Sequence, residues 1–451
     1  MPSMRNRLFL LSLLAVPLVC LSAGLVYNLP PVHDRLAWRV ANWSTQIRHK
    51  LNPPEQVVFV PQQSQQQQIE AIVQATLQAV ILSATSSALT PTAPAESAPA
   101  LPGPTGTPLP SPTPTPTPTL IPDQTLLTGI LHEYQQMNNC GPATLSMALS
   151  FWGWQGDQRD TRAFLRPSFQ EIDDKNVNPY EMVDYVETQT GLKALARVGG
   201  DVDLLKRLVA AGFPVIIEKG FQPSQESWMG HYVLASGYDD GRGRFITQDA
   251  YIMADFPVPY EDISERWWRD FNYAYVVAYP PEREAEVLSI LGPHADPADN
   301  FQAAADKAVQ EIANLSGRDL FFAWYNLGSS RVGLQDYAGA AQAYDQAFAI
   351  YPSIQESDRP WRMLWYQVGP YEAYFHTGRF QDVINLANTT FSAFGASDTP
   401  GLEETYYWRG LAREALGNLE GAIADLSKAA RINPASVPSV EQLERLGVEL
   451  P

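Results

Sequence analysis

Residues 134–153 read YQQMNNCGPATLSMALSFWG and mark the central region of the chain. Four apolar residues of this stretch recur at the spacing of one helix face: Leu145, Ala148, Leu149 and Trp152. Pro142 suits the first turn of such a helix, and Gly153 suits its end. The pattern predicts a helix that begins close to Cys140, where the helix dipole and free N–H groups stabilise a thiolate. The alternative is a buried, unreactive cysteine.

A histidine partner for Cys140 is available in the same region. Of the six histidines, only His132 and His231 lie within residues 126–282, the region that contains Cys140. Residues 230–249 read GHYVLASGYDDGRGRFITQD, which predicts a strand, an Asp-Gly turn and a second strand. In such a hairpin His231 and Asp249 occupy neighbouring ends, so a carboxylate there can orient the imidazole. The alternative is a strand-end histidine and an aspartate that caps a turn.

Together these stretches resemble one known family. The order Gln-x-x-x-x-Cys-Gly-Pro-Ala-Thr, then Gly-His-Tyr-Val, then an Asp 18 residues after the histidine is similar to the double-glycine (bacteriocin-leader) peptidase-like proteins. These proteins are papain-like cysteine peptidases. The resemblance extends over Leu131–Tyr279 and implies an α+β papain-like domain. No GxxxxGK[ST] motif is present in the chain, which argues against a bacteriocin exporter.

The resemblance also implies a role for each of four residues. They are Cys140 as the nucleophile, His231 as the general base, Asp249 as the acid that orients the histidine, and Gln135 as the oxyanion-hole donor. Gln136 remains an alternative to Gln135, because neither glutamine has the family's usual spacing from the cysteine. Asp239 remains an alternative to Asp249. We expect no cofactor and no metal.

The C-terminal region, residues 299–446, carries a repeat of about 34 residues. In the first unit, the residues that resemble the tetratricopeptide pattern are Trp324, Leu327, Gly328, Ala340, Tyr344, Ala347 and Pro352. A later unit matches through Gly410, Ala422, Leu426, Ala429 and Pro434, and a degenerate unit between them contains Phe380, Val383 and Ala387. We expect a leading helix over residues 300–316 and an all-α solenoid. Such repeats imply a surface for a protein partner, and the alternative is a rigid brace for the peptidase domain.

The N-terminal residues predict a membrane segment. Arg5 and Arg7 precede Leu8–Tyr27, about 20 residues without a charge, which is the length of a transmembrane helix. A cleaved signal peptide is the alternative, because small residues follow at Ser22-Ala23-Gly24. Residues 1–30 are thus expected to form the anchor or signal, and residues 31–90 a membrane-proximal segment with a glutamine-rich helix. Residues 91–125 are expected to be a disordered Pro/Thr-rich stalk, extended at about 3.1 Å per residue.

The net charge and the cysteine count argue against several classes of protein. The chain has 451 residues, of which 31 are Lys or Arg and 49 are Asp or Glu, giving a net charge of −18. That balance argues against nucleic-acid binding. Only two cysteines exist, so a disulfide framework or a CxxC zinc site is excluded.

The predicted organisation therefore consists of an anchor, a stalk, a peptidase-like domain at residues 126–282 and a repeat domain at 299–446. We expect a single-pass membrane protein whose C-terminal domains lie outside the cytoplasm, or a secreted protein if the N-terminal segment is cleaved. The expected function is thiol hydrolysis of a peptide bond in a peptide or protein substrate. The alternative is a non-catalytic, peptide-binding scaffold built on an inactive peptidase-like domain.

Overall fold

The computed structural model describes residues 18, 21–29, 32, 39, 40, 43, 47, 58–62, 121–167, 176–223, 227–393 and 401–448. The chain divides into two compact units. One comprises Met1–Phe59 together with Asp123–Pro451, and the other comprises Val60–Pro122. Of the second unit, the structure describes residues 60–62, 121 and 122. The described part of the first unit consists of a sheet with its helices, followed by helical hairpins.

The sheet has seven strands. They are β1 Gln124–Leu126, β2 Lys193–Arg197, β3 Val215–Phe221, β4 Met229–Asp239, β5 Arg244–Asp249, β6 Met253–Pro259 and β7 Tyr275–Tyr279. Their order is β2-β7-β3-β4-β5-β6, and β1 also pairs with β4. Every pair is antiparallel. The central strands β3 and β7 are almost continuously buried, because they are covered on both faces.

Five helices belong to the sheet region. They are α1 Cys140–Phe151, α2 Gln158–Leu165, α3 Pro179–Gln189, α4 Val202–Ala210 and α5 Glu284–Leu291. Leu145 and Leu149 of α1 are fully buried in the same core as Tyr232 and Leu234 of β4. The helix ends where Gly153 takes a φ of +84°, a backbone conformation that glycine adopts without strain. Helix α1 therefore lies against the centre of the sheet, with its first residue close to β4.

Strands β4 and β5 form the expected hairpin. A short turn at Asp240–Arg242 joins them, followed by Gly243 at a φ of +60°. The ordered region begins before the expected boundary at Leu126, because Gln124 pairs with Asp239 and so starts β1. Apart from residues 121–125, the expected stalk lies outside the described residues, as does the glutamine-rich helix.

The C-terminal region has helices as the regular elements of its described residues. It contains α6 Pro297–Ile312, α7 Gly317–Gly333, α8 Tyr337–Ile350, α9 Gly369–His376, α10 Phe380–Ser392, α11 Glu403–Ala415, α12 Leu419–Ile432 and α13 Val437–Arg445. Helices α7 to α12 form three consecutive pairs, which correspond to the two clear units and the degenerate unit. The expected leading helix is α6, shifted to begin at Pro297 because the Asp296 side chain caps it there. The small residue Gly328 allows α8 to approach, since a Cβ at Gly328 would lie 2.7 Å from the Tyr344 ring.

The sheet region and the helical region share a hydrophobic core. Trp228 and Phe271 pack with Phe321 and Phe322 of α7 in one buried cluster. Polar contacts reinforce this junction around Asp270, whose Oδ2 accepts hydrogen bonds from the Trp228 indole at 2.8 Å and from Arg318 at 2.5 Å. The two regions therefore belong to one compact unit.

Of the N-terminal segment, the structure describes residues 18, 21–29, 32, 39, 40, 43, 47 and 58–62. Within them, no helix has the length and the apolar character needed to cross a bilayer. Most of Leu8–Tyr27 lies outside those residues.

Candidate active site

Cys140 is the first residue of α1, as the sequence predicts. Its side chain is partly exposed. Burial of the sulfur alone would raise its pKa, but the hydrogen bond to His231 and the charge of that imidazole outweigh burial and lower the pKa of Cys140. Backbone hydrogen bonds from Tyr232 and Gly141 act in the same direction. Residue type, helix position and neighbours thus all favour a thiolate at this position.

His231 lies near the start of β4, and only 3% of it is exposed. Its Nε2 hydrogen bonds to Oδ1 of Asp249 at 2.9 Å, which leaves Nδ1 for Cys140. The ring stacks on Phe221 at a centroid distance of 4.6 Å, and Tyr251 contacts it edge-on at 6.2 Å. Burial would lower the pKa of His231, but the charge and hydrogen bond of Asp249 raise it to about 9. The imidazole is therefore held protonated at neutral pH, beside a cysteine of lowered pKa.

Asp249 closes β5 and is itself buried. Its Oδ1 also accepts hydrogen bonds from the backbone N–H groups of Tyr251 at 2.9 Å and Ile252 at 3.1 Å. Burial raises the pKa of this carboxyl, but His231 and Lys219 outweigh it, so that the pKa lies below its usual value. The turn after β5 thus fixes the carboxylate that holds the imidazole.

The two glutamines lie on the loop that leads into α1. Gln135 is buried, and its backbone N–H donates to the carbonyl of Ala250, the residue after Asp249, at 2.9 Å. Its Oε1 is buried without a hydrogen-bond partner among the described residues. Gln136 is less buried, and its backbone N–H donates to Oε1 of Gln158 at 2.8 Å. The loop therefore attaches Gln135 to the turn that carries Asp249.

Asp239 and His132, which the sequence also offered as site residues, have other hydrogen-bond partners. Asp239 is at the other end of β4 from His231, about 27 Å along the strand. There it accepts from the backbone of Arg242 at 3.2 Å and pairs with the Arg242 guanidinium at 3.1 Å. His132 hydrogen bonds to Gln248 at 3.2 Å. Among the described residues, no group of three or more His, Cys, Asp or Glu side chains is arranged to hold a metal ion.

Lys219 is a feature of the site that the sequence reasoning missed. It lies opposite His231 in the β3–β4 pairing, and only 7% of it is exposed. Its Nζ lies 4.9 Å from the centre of the Phe221 ring, the ring that stacks on His231. Burial lowers the pKa of Lys219, whereas Asp249 is the leading neighbour that raises it. In the sequence, the indication of this feature was the Glu-Lys pair within the strand VIIEKGF, because charged residues are rarely buried unless they are paired.

The helical region reaches the same strand end. A Cβ at Gly230, the residue before His231, would lie 2.7 Å from the Phe271 ring and 3.0 Å from the Tyr366 ring. The backbone beside His231 is therefore packed against an aromatic residue of the helical region. A second missed residue, Gln158, ties the cysteine loop together through hydrogen bonds from Asn139 at 2.9 Å and to the Tyr134 carbonyl at 2.9 Å.

Two family models match parts of the chain. Residues 130–275 match the Peptidase_C39 like family, and residues 323–354 and 403–436 match the tetratricopeptide repeat. No curated protein sequence matches the chain.

Solved structures that are similar to part of the chain include the following three. A C39-like peptidase from Bacillus anthracis is 15% identical, covers 34% of this chain and 96% of its own, and has a TM-score of 0.29. A double glycine motif protease from an AMS/PCAT transporter, in complex with the leader peptide, is 16% identical and covers 35% of this chain and 94% of its own, with a TM-score of 0.27. Xylellain, a cysteine protease from Xylella fastidiosa, is 17% identical and covers 36% of this chain and 87% of its own, with a TM-score of 0.23. On the family matches, the chain combines a Peptidase_C39-like domain with tetratricopeptide repeats.

Proposed function

We propose that the peptidase-like domain is a thiol peptidase in which Cys140 is the nucleophile and His231 the general acid and base. The observation that carries this proposal is the continuous chain from the Cys140 sulfur through the imidazole to Asp249, with the pKa of His231 raised to about 9 and that of Cys140 lowered. Strongly perturbed pKa values of this kind cluster at functional sites. A nucleophilic cysteine is activated by an adjacent imidazole that a third group orients, which is the arrangement of these three residues.

The reaction follows from these groups. The Cys140 thiolate attacks the carbonyl carbon of the peptide bond, and the oxyanion that forms accepts hydrogen bonds from the Cys140 backbone N–H and the Gln135 amide. The first N–H groups of a helix have no acceptor within the helix, so the Cys140 N–H is suited to this role. His231 then donates its proton to the leaving amine, and the C–N bond breaks to give a thioester. His231 then takes a proton from a water molecule that attacks the thioester carbonyl, the C–S bond breaks, the acyl product leaves as a carboxylic acid, and the Cys140 thiolate is restored beside the protonated imidazole.

Asp249 acts through His231 in this scheme. Its charge keeps the imidazole protonated, and its hydrogen bond to Nε2 keeps Nδ1 directed to the sulfur. It is therefore a positioning residue, and its loss should reduce turnover less than loss of the nucleophile.

The domain order supports a proposal for the whole protein. The N-terminal apolar segment anchors the chain in a membrane, the C-terminal domains lie outside the cytoplasm, and the repeats bind a protein partner or the substrate. The support is the sequence: a charge-free span after Arg5 and Arg7, and repeats of a type that binds proteins. Protease added to intact cells that express the protein should cut the chain between residues 91 and 122, which a denaturing gel shows as a shorter C-terminal fragment, and complete protection would contradict this orientation.

Labelling with a peptidyl epoxide that alkylates active cysteine peptidases tests the activity. The purified full chain should be labelled at Cys140 and should hydrolyse a fluorogenic peptide library, whereas Cys140→Ala should do neither while it keeps its melting temperature. Labelling without hydrolysis of any peptide would favour the peptide-binding scaffold. Hydrolysis retained in Cys140→Ala would exclude the proposed nucleophile.

A further inference from the structure

Phe59 is an N-terminal residue that lies inside the repeat region. Only 6% of it is exposed, and it belongs to the same buried cluster as the aromatic residues of α7 to α9. Its ring meets Phe348 of α8 edge-on, with 5.1 Å between centroids and 80° between planes. A second aromatic ring, that of Tyr374 in α9, lies 6.2 Å away. Such edge-on pairs are favourable beyond the area that they bury.

The surroundings of Phe59 form a socket. We use this name for the cavity walls at Phe348, Tyr351, Met363, Leu364 and Thr390, together with Tyr374. About 40 Å³ remains open beside the Phe59 ring, which is space for a few water molecules but not for another side chain of that size. The phenylalanine therefore fills most of the socket. Of the residues that follow, Val60 is 39% exposed and Pro61 is buried, so Phe59 is the aromatic side chain that this short segment buries.

The position of Phe59 in the chain makes this contact informative. Residues 60–122 include the Pro/Thr-rich segment, and the chain returns to the same compact unit at Asp123, just before β1. A spacer separates two bodies only if its ends are attached to different bodies. Here the residue before the segment and the residue after it both belong to one unit.

We propose that Phe59 and its neighbours are an intramolecular ligand of the tetratricopeptide repeats, and that the socket is a site for an aromatic residue in an extended apolar peptide. The tether maintains a high local concentration of this ligand, so that modest affinity is enough to keep the socket occupied. The Pro/Thr-rich segment then does not set the distance between the N-terminal residues and the catalytic domain. The N-terminal residues are instead fastened directly to the repeats.

Cleavage of the tether tests this proposal. A recognition sequence for a site-specific protease is inserted between Pro91 and Pro122 of the full chain, and the purified protein is cut in mild detergent. We expect the N-terminal fragment to stay with the C-terminal fragment during size-exclusion chromatography. Phe59→Ala should release it, and the matched control Val60→Ala should retain it, because that side chain is exposed.

A peptide with the sequence of residues 53–64 gives a second measurement. With a fluorescent label, it should bind the C-terminal fragment once the N-terminal fragment is removed, and the Phe59→Ala peptide should bind about 100-fold more weakly. Since the substitution lies on the peptide, it cannot act by unfolding the repeats. Separation of the unsubstituted fragments, or equal binding of the two peptides, would overturn the proposal.

Discussion

Asp249→Asn separates the charge of the carboxylate from its geometry. In the native protein one oxygen of Asp249 accepts from His231 and from two backbone N–H groups, at 2.9 to 3.1 Å. The amide oxygen of asparagine can accept the same hydrogen bonds, so that the turn after β5 stays intact. What is lost is the negative charge, which is the main group that raises the pKa of His231.

The size of the effect follows from the pKa of the imidazole. His231 titrates at about 9 rather than at 6.5, although burial alone would lower its pKa. This difference corresponds to about 3 kcal/mol in favour of the protonated form. A histidine whose folded pKa is raised stabilises the protein fully below its unfolded pKa, and this stabilisation is lost as the pH rises through the folded value. Asp249→Asn removes the largest of the groups that raise this pKa, and Cys140 keeps a part of the shift, so the variant should unfold more easily at pH 6 by up to about 3 kcal/mol, and this difference should shrink as the pH rises through about 9.

Alkylation of Cys140 by iodoacetamide provides the assay, read by mass spectrometry peptide by peptide. The native protein should react well below pH 8.5, the pKa of a free thiol, since the imidazolium stabilises the thiolate. In Asp249→Asn the rate at pH 7 should fall by about one to two orders of magnitude, because an isolated thiol is only a few per cent ionised at that pH. Asp239→Asn is the matched control on the same hairpin and should leave the rate unchanged. If both variants react like the native protein, Asp249 does not hold the imidazole protonated.

Three further changes test the surroundings of the site. Lys219→Met removes a cation that lowers the pKa of Asp249, so on acidification the variant should lose activity at a higher pH than the native protein. Lys219→Arg keeps the charge and should have the native pH profile. An unchanged profile in Lys219→Met would contradict this role. Asp270→Ala leaves the buried Trp228 indole without its acceptor and removes one of the two carboxylates that pair with the partly buried Arg318, and it should cost about 3 kcal/mol in chemical unfolding. In Asp270→Ala the sheet region and the helical region should still unfold in one shared transition. A loss of stability confined to the helical region would show that the two regions unfold independently. Gly328→Ala forces a Cβ against the Tyr344 ring and should lower stability by about 1–3 kcal/mol, whereas a neutral result would mean that the helix pair can separate freely.

Local patterns account for what the sequence could predict. Helix α1 and the β4–β5 hairpin follow from spacing and turn residues that are close in the chain, and these elements carry Cys140, His231 and Asp249. Contacts between residues that are far apart in the chain cannot be predicted from such local patterns. Phe59 stands in the short run VVFV beside prolines and glutamines, and nothing near it in sequence indicates that it enters a helical core.

The packing around His231 could not be predicted from the sequence, for the same reason. Phe221 stacks on the imidazole, and Lys219 lies across the strand from it, but both facts depend on the β3–β4 register. Register is set by burial on both faces and by loop lengths, not by the residues of one strand alone. The choice between Asp239 and Asp249 required the structure, because the two acids occupy opposite ends of one hairpin.

The hydrophobic junction between the sheet and the helices restricts how this protein can evolve. Trp228 and Phe271 would be exposed to water in a peptidase domain that had lost its repeats, and Phe321 and Phe322 would be exposed in the repeats alone. A recombination event that exchanged one region for an unrelated module would need to rebuild both apolar faces at once. We therefore expect relatives to inherit the two regions together, with matched substitutions on the two sides of the junction, rather than as interchangeable parts.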